Sequence, residues 1–199
     1  AAPIVVILAG VQSTRMGGED KALKPLSGIP MIEWVVERLL SQAGTLLISG
    51  DTDRGTGLSC IPDAPGAPPG PAAGLYSVSQ WLSETAPASS DGFITVPVDT
   101  PFLPLDLVAR LLGVGGPAVA SDGERLHPTI AYWDQARLQG CWATPLNGKA
   151  AALHALATRC GAQPVAFPPA SLLNINTHDA LLAAERALEL GSGADRDGV

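Results

Sequence analysis

The segment that follows the first apolar run brings together residue types that bind polyphosphate. Gly10 allows a tight turn that brings backbone N–H groups close to phosphate oxygens. Ser13 and Thr14 add hydroxyl donors, and Arg15 and Lys21 add positive charge to an acidic chain. The segment is neither a Walker P-loop, because no GKS or GKT follows, nor a GxGxxG turn. By composition alone, an ordinary strand-to-helix turn with surface cations explains the pattern equally well.

A carboxylate follows a second apolar run. Asp99 comes directly after Val96-Pro97-Val98 and precedes Thr100-Pro101. Mg²⁺ prefers oxygen ligands and usually binds through one or two carboxylates together with substrate phosphates. An aspartate that caps a turn before a proline is also common. The spacing alone slightly favours the turn cap and leaves the metal site as the alternative.

The apolar periodicity predicts a chain in which strands alternate with helices. This alternation indicates a three-layer α/β/α sandwich around a mostly parallel, Rossmann-like sheet. Right-handed crossovers would then place the loops after Ala9 and Val98 at the same edge of the sheet, where such folds bind ligands. The predicted strands are residues 4–9, 45–49, 59–61, 93–98, 118–120 and 129–133, and the predicted helices are residues 31–40, 72–82, 105–112, 149–159 and 178–190.

Length and composition predict one domain. The chain has 199 residues, of which 46% are apolar and 16% charged, as is typical of a globular protein. We expect a single domain over residues 1–190 and a disordered tail over 191–199. The Pro- and Gly-rich residues 62–72 are interpreted as a rigid loop that leads into a helix rather than as a linker between domains.

Charge and cysteine usage limit the partners and the compartment. A net charge of −7 argues against binding to nucleic acid or to an anionic membrane. Cys60, Cys141 and Cys160 are widely spaced and form no CxxC pair, which favours reduced thiols over a disulfide framework or a zinc site. The apolar run 4–9 is too short to span a bilayer. The sequence therefore predicts a cytoplasmic protein.

The string from Leu8 to Lys21, LAGVQSTRMGGEDK, resembles the LAGGxSxRMGxDK signature of the molybdenum cofactor nucleotidyltransferases. The resemblance implies that Leu8-Ala9-Gly10 cradle the triphosphate of the nucleotide and that Arg15 and Lys21 neutralise it. These two cations, together with Asp99, are the catalytic residues that the resemblance implies. Val11 departs from the pattern, because the family usually has a second glycine there.

Further strings match the family in its order. Val96–Pro101 is similar to the PxDxP element, which implies that Asp99 binds Mg²⁺ and the nucleotide. Asp63 matches an acidic position that helps to hold the nucleotide. Gly70 and Gly74 lie in a string similar to the GPLAG element beside the base.

The acceptor side resembles the guanylyltransferase members of the family. Residues 127–131 read HPTIA, which makes Arg125 and His127 candidates for binding the acceptor's phosphate or pterin ring. Residues 174–177 are similar to an NxNT element near the acceptor and metal. Asn174 and Asn176 are therefore candidates for acceptor binding and, with equal weight, for capping the last helix.

The resemblance, which covers residues 4–190, implies a reaction between GTP and molybdopterin. The terminal phosphate of molybdopterin would attack the α-phosphorus of GTP with the help of Mg²⁺, release pyrophosphate and form the guanine dinucleotide cofactor. A phosphate monoester with a second pKa of about 6 needs no general base at neutral pH. The pathway also implies transient contact with the protein that delivers the pterin and with the recipient molybdoenzyme.

Three alternatives stay open at this stage. The first is a relative that uses CTP or another acceptor such as a sugar phosphate, because Ser49-Gly50-Asp51 departs from the Asn-containing segment of the guanylyl enzymes. The second is a non-catalytic nucleotide-binding paralogue, because Val11 is β-branched and resists positive φ. The third is a Rossmann-type oxidoreductase, which the missing GxGxxG argues against.

Overall fold

The computed structural model describes residues 2–10, 20–85, 91–143, 146 and 148–194. The strands are β1 Ile4–Leu8, β2 Pro25–Leu26, β3 Ile29–Pro30, β4 Thr45–Ser49, β5 Cys60–Ile61, β6 Gly92–Pro97, β7 Ala118–Ser121, β8 Leu126–Asp134 and β9 Gln163–Ala166. The α-helices are α1 Met31–Leu40, α2 Ala72–Thr85, α3 Leu107–Leu112, α4 Gln135–Trp142, α5 Leu153–Arg159 and α6 His178–Ala194. Short 3-10 turns cover Lys21–Leu23, Gly148–Ala151 and Pro169–Leu172.

Seven strands form the main sheet, in the order β5-β4-β1-β6-β8-β7-β9. β1 pairs in parallel with both β4 and β6, so that Val5 lies opposite Leu46 on one side and Ile94 on the other. Among the described strands of this sheet, only β8 runs antiparallel to its neighbours. The prediction of a mostly parallel sheet is confirmed, and the loops after β1 and β6 leave the sheet at the same edge.

Helices cover both faces of the sheet. Val5 and Ile7 of β1 pack in a buried cluster with residues of α1 and α3. Val6, which points to the opposite face, packs in a second cluster with residues of α2, α4 and α5. Burying an aliphatic side chain of this size contributes about 1.5–3 kcal/mol, so both faces stabilise the sheet. The predicted α/β/α sandwich is confirmed.

A small hairpin between β1 and α1 is absent from the sequence-based prediction. β2 and β3 have two residues each, which is too short for a periodic signal. They are joined by Ser27 and Gly28, whose φ angles of 51° and 80° are those that tight hairpin turns require. The Ser27 amide donates to Glu185 of α6 at 2.9 Å, which fixes the hairpin to the last helix.

Other differences lie in the second half of the chain. The predicted helix 149–159 is a 3-10 turn followed by α5, because Ala152 between them is extended, with ψ 139°. The sequence pattern indicates neither α4 nor β9. α6 continues to Ala194, four residues into the predicted tail, and residues 195–199 lie outside the described part of the chain.

In the described residues, no helix combines the length and the apolar character needed to cross a bilayer. The three cysteines are free thiols. Cys141 and Cys160 lie close together in the core, with their sulfur atoms 3.8 Å apart.

Candidate active site

A cavity of about 1250 Å³ opens at the carboxyl ends of β1, β4, β5 and β6. Its volume exceeds the ~300–1,000 Å³ of ordinary small-molecule sites, so it has room for two substrates. Residues from widely separated parts of the chain meet here because parallel strands end at one edge of the sheet. The candidate residues that line the cavity are Leu8, Gly10, Lys21, Asp63, Gly70, Gly74, Asp99 and Asn174.

Lys21, which lines this cavity, is held in place by its turn and by two side chains. Asp20 caps the turn, because its Oδ1 accepts a hydrogen bond from the Ala22 amide at 3.1 Å. The Lys21 ammonium donates to Asn176 Oδ1 at 2.9 Å and lies 3.9 Å from Asp99 Oδ2. Since Lys21 is 18% exposed and Asp99 16%, both side chains still reach the cavity.

Asp99 stands at the end of β6 in a largely desolvated position. Burial raises the pKa of its carboxyl above the ordinary value, while Lys21 and a backbone hydrogen bond lower it. The Asp99 carbonyl accepts a hydrogen bond from the Ile175 amide at 2.8 Å, and Thr100 donates to Asn174 Oδ1 at 2.7 Å. The end of β6 is therefore joined to the segment that precedes α6.

The donor set at Asp99 fits Mg²⁺ bound with a polyphosphate. Among the described residues, no group of three or more His, Cys, Asp or Glu side chains could by itself hold a metal ion. Mg²⁺ does not need such a group, because it usually takes one or two carboxylates and completes its shell with phosphate oxygens and water. A desolvated carboxylate that faces a large cavity meets that requirement, since a bound cation would stabilise its charged form.

Another part of the lining comes from the loop over residues 63–71 and from the first turn of α2. The Ala64 amide donates to Ser77 of α2 at 2.8 Å, which anchors this loop to the helix. Gly74 lies close to the end of β4, because a Cβ added to it would be 2.7 Å from Ser49 Oγ. Gly70 has φ 76°, a conformation that L side chains rarely adopt. Small residues thus bring the loop and α2 up to the sheet edge.

Comparison with known proteins gives the family. A profile described as MobA-like NTP transferase domain matches residues 5–159. A molybdenum cofactor guanylyltransferase of Cereibacter sphaeroides is 40% identical over 190 residues, which cover 92% of this chain and 95% of that protein. The chain belongs to the molybdenum cofactor guanylyltransferase family. It is therefore a nucleotidyltransferase. A relative of the same name from Mesorhizobium japonicum is 39% identical over 137 residues, or 64% of this chain and 65% of that protein.

Solved structures give the same fold for this nucleotidyltransferase. Molybdopterin-guanine dinucleotide biosynthesis protein A of Archaeoglobus fulgidus superposes with a TM-score of 0.67 at 18% identity, over 94% of this chain and 99% of that one. A 2-C-methyl-D-erythritol 4-phosphate cytidylyltransferase of Thermus thermophilus gives 0.66 at 19% identity, over 95% and 100%. At these identities the likeness shows the fold alone. A cytidylyltransferase has the same fold, so the fold does not decide which nucleotide base this chain uses.

Some of the site residues that the sequence predicts do not line the cavity. Ala9 is buried, and its amide donates to the Ser49 carbonyl at 3.0 Å. Arg125 is 81% exposed, and His127 Nε2 lies 2.8 Å from Asp122 Oδ2 in the hairpin between β7 and β8. The next residues, Pro128 and Thr129, do line the cavity.

The two asparagines do not make the capping hydrogen bond of α6. Thr177 does, because its Oγ1 accepts from the Ala180 amide at 3.1 Å. Asn174 and Asn176 instead bond to Thr100 and Lys21. The capping alternative for the two asparagines is thus weakened, and their role in acceptor binding stays a prediction.

Sequence reasoning missed Arg54 and His154. Arg54 forms an ion pair with Asp20, and His154 lies on the cavity wall at the start of α5. Neither residue belongs to a recognisable motif, so no signal in the sequence singles it out as part of the site. Four residues of the predicted phosphate loop, Val11, Ser13, Thr14 and Arg15, lie outside the described residues.

Proposed function

We propose that this nucleotidyltransferase transfers GMP from GTP to the terminal phosphate of molybdopterin, with Mg²⁺, and releases pyrophosphate. The observation that carries the proposal is that Lys21 and Asp99 lie 3.9 Å apart in the lining of a cavity of about 1250 Å³. The name of the Cereibacter sphaeroides relative supports the choice of base and acceptor.

In this proposal the nucleotide lies between the end of β1 and the loop that leads into α2. Leu8, Gly10 and Lys21, which line the cavity, would hold the triphosphate, with Arg15 as the second cation of the sequence-based prediction. Asp63, Gly70 and Gly74 line the same cavity and would contact the nucleoside. Cations and backbone N–H groups are the partners that phosphate oxygens need.

Asp99 would hold the metal ion. Bound there, Mg²⁺ supplies positive charge to the phosphates at the reacting centre. Lys21 adds to that charge, and Asn176 orients its ammonium through the 2.9 Å hydrogen bond. Fixed charges aimed at developing negative charge stabilise a phosphoryl-type transition state without a cost of reorganisation.

The acceptor occupies the rest of the cavity, toward Pro128, Thr129, His154 and Asn174. An oxygen of its terminal phosphate forms a bond to the α-phosphorus, and the bond from that phosphorus to the bridging oxygen of pyrophosphate breaks. The acceptor phosphate, with a second pKa of about 6, is anionic at neutral pH, so no proton has to be removed. The task of the residues is to align two anions and to neutralise them.

A second candidate is transfer from CTP, or to another phosphorylated acceptor. Ser49 favours it, because this serine lines the cavity at the end of β4, where the guanylyl enzymes tend to have an Asn-containing segment. A non-catalytic role caused by Val11 stays a prediction. So do a cytoplasmic location and transient contacts with the pterin-delivering protein and a molybdoenzyme.

Pyrophosphate release tests the proposal. It is measured with each of the four NTPs, with and without molybdopterin and with and without Mg²⁺. The expected result is release that requires GTP, molybdopterin and Mg²⁺ together. Release with CTP in place of GTP would favour the second candidate. No release with any NTP, from a folded protein and verified molybdopterin, would contradict transfer to molybdopterin and favour a different acceptor or the non-catalytic role.

A further inference from the structure

Arg54 uses all three nitrogens of its guanidinium in hydrogen bonds. Its Nε donates to Asp20 Oδ2 at 2.6 Å, and its Nη2 donates to the Ala9 carbonyl at 2.7 Å. Its Nη1 donates to the Thr52 carbonyl at 3.0 Å, within its own loop. The side chain is only 10% exposed and that of Asp20 24%, so water screens this pair less than a surface pair.

The contacts with Ala9 and Asp20 join the end of β1 to the turn that carries Lys21. Ala9 directly follows β1, and its amide is bonded to the Ser49 carbonyl of β4, so its position is set by the sheet. Asp20 directly precedes Lys21 and caps its turn through Oδ1. The Asp20 carboxylate therefore caps the turn through Oδ1 and binds the Arg54 guanidinium through Oδ2. Arg54 ties the Lys21 turn to the sheet edge that also carries Asp99.

The local backbone is adapted to this arrangement. Arg54 itself has φ 50°, which non-glycine residues seldom adopt. Gly50 is needed beside it, because an added Cβ would lie 3.1 Å from the Ala9 carbonyl oxygen and 3.4 Å from Arg54 Nη1. An uncommon conformation persists when the surrounding contacts determine it, and functional sites are where such conformations concentrate.

We propose that Arg54 is a positioning residue for Lys21, which holds the Lys21 ammonium beside Asp99 by linking Asp20 to the Ala9 carbonyl. Arginine suits this task better than lysine, because a planar guanidinium reaches a carboxylate and carbonyls in fixed directions at once. This inference rests on the proposed function for its effect on turnover. Its structural part, the fixing of the Lys21 turn, stands apart from any substrate.

The test compares Arg54→Ala and Arg54→Lys with Arg110→Ala. Arg110 is a matched control away from the cavity, because it also pairs with a carboxylate, Asp106 at 3.9 Å, and donates to a carbonyl, Ala166 at 2.6 Å. Asp20→Asn is the milder second variant, since the amide oxygen can keep the cap while the charge is lost. Hydrogen exchange at the amides of residues 22–24 is measured without nucleotide, beside thermal unfolding and steady-state kinetics.

We expect faster exchange at residues 22–24 in the Arg54 and Asp20 variants and no change in Arg110→Ala. A misplacement of about 1 Å costs on the order of 10²-fold in rate, so kcat should fall by that order in Arg54→Ala, with Arg54→Lys in between. KM for the acceptor should stay near the wild-type value, because Arg54 contacts Asp20, Thr52 and Ala9 and none of the residues proposed to face the acceptor.

A lower unfolding temperature with unchanged kcat would overturn the proposal, since Arg54 would then stabilise the fold without positioning Lys21 for turnover. Unchanged exchange at residues 22–24 would overturn it as well. If the wild-type protein shows no turnover with any NTP, the proposed function fails, but the exchange measurement still decides whether Arg54 fixes the Lys21 turn. The two failures are therefore distinguishable.

Discussion

The Lys21 ammonium lies 3.9 Å from Asp99 Oδ2, at the limit of an ion pair, while it donates a 2.9 Å hydrogen bond to Asn176. A pair at this distance is loose, so each charge can take a further partner in the cavity without first breaking a strong bond. Asn176 sets the direction of the ammonium and carries no charge that would compete for a phosphate. This arrangement is suited to a site that receives an anion and a metal ion together.

Replacing Lys21 with methionine should abolish most of the turnover. The variant keeps a side chain of similar length but has no charge to place on the triphosphate, so kcat/KM should fall by about 10²–10³-fold, as when one preorganised donor is removed. The unfolding temperature should change little, because a partly exposed pair at 3.9 Å contributes about 0–1 kcal/mol. Initial rates and thermal denaturation check this.

Lys24→Met, three residues further along the chain, is the control for Lys21→Met. An equal loss of activity in both variants would argue against a specific role of Lys21.

Replacing Asp99 with asparagine should separate activity from stability. Turnover that depends on Mg²⁺ should fall at least about 10²-fold, because the neutral amide is a poor ligand for a hard cation. Without Mg²⁺ the folded protein should be as stable as wild type or more stable at pH 7. Burial raises the Asp99 pKa, so the charged carboxylate is disfavoured in the fold above that pKa, and the amide removes this cost.

Rates with and without Mg²⁺ and urea unfolding at pH 7 measure the two effects of Asp99→Asn. Asp106→Asn is the control, since Asp106 lies on the surface beside Arg110. Full Mg²⁺-dependent activity in Asp99→Asn would exclude Asp99 as the metal ligand.

Much of the fold could be predicted from the sequence because its central strands are buried on both faces. Apolar runs such as 4–9, and 93–98 with its single threonine, are typical of parallel strands under two helical layers. Once β1 and β6 are parallel neighbours, the loops that follow them leave the sheet at the same edge, which places Asp99 beside the start of the loop that leads to Lys21. The shared sheet edge therefore follows from topology, whereas the final approach of Lys21 to Asp99 depends on side-chain contacts such as that with Asn176.

The parts that could not be predicted depend on contacts between distant segments. The β2–β3 hairpin is too short for a periodic pattern and is held by Glu185 of α6. The break at Ala152 divides a segment whose apolar spacing reads as one helix. Arg54 gains its role only when the loop after β4 folds against Asp20 and Ala9. None of these contacts has a counterpart in local sequence.

Replacing Gly74 with alanine should close part of the nucleotide side of the cavity. The added Cβ would lie 2.7 Å from Ser49 Oγ and 3.5 Å from a methyl carbon of Leu8, so the buried Ser49 hydroxyl must rotate or the helix must shift. Overpacking of this kind costs about 1–3 kcal/mol, and KM for the nucleotide should rise. Urea unfolding and nucleotide titration measure the two effects.

Two further variants test the cause of the Gly74→Ala effect. Ser49→Ala in the Gly74→Ala background should restore most of the stability, because it removes the atom in the closest contact. Gly140→Ala in α4 is the matched helical control, since an added Cβ there meets nothing within 4 Å. It should be neutral or stabilising by up to about 1 kcal/mol. If Ser49→Ala gives no rescue, the overpacking argument is wrong.

Replacing Asp122 with asparagine should remove a pH-dependent part of the stability. Asp122 Oδ2 lies 2.8 Å from His127 Nε2, and its Oδ1 accepts from the amides of Glu124 and Arg125 at 2.9 and 2.8 Å. These contacts, first the one with His127, hold the pKa of the Asp122 carboxyl well below its ordinary value of 3.8.

Because the folded pKa is the lower one, the stabilisation by Asp122 is fully present above the unfolded pKa and is lost as the pH falls through the folded value. Asp122→Asn should therefore unfold at lower urea concentration than wild type at pH 7, and the difference should shrink as the pH falls below about 3.8. Asp106→Asn should change little at either pH, since its partner Arg110 is 3.9 Å away on the surface. A difference between Asp122→Asn and wild type that stays constant from pH 7 to pH 3 would show that the hairpin is held by packing rather than by the charged carboxylate.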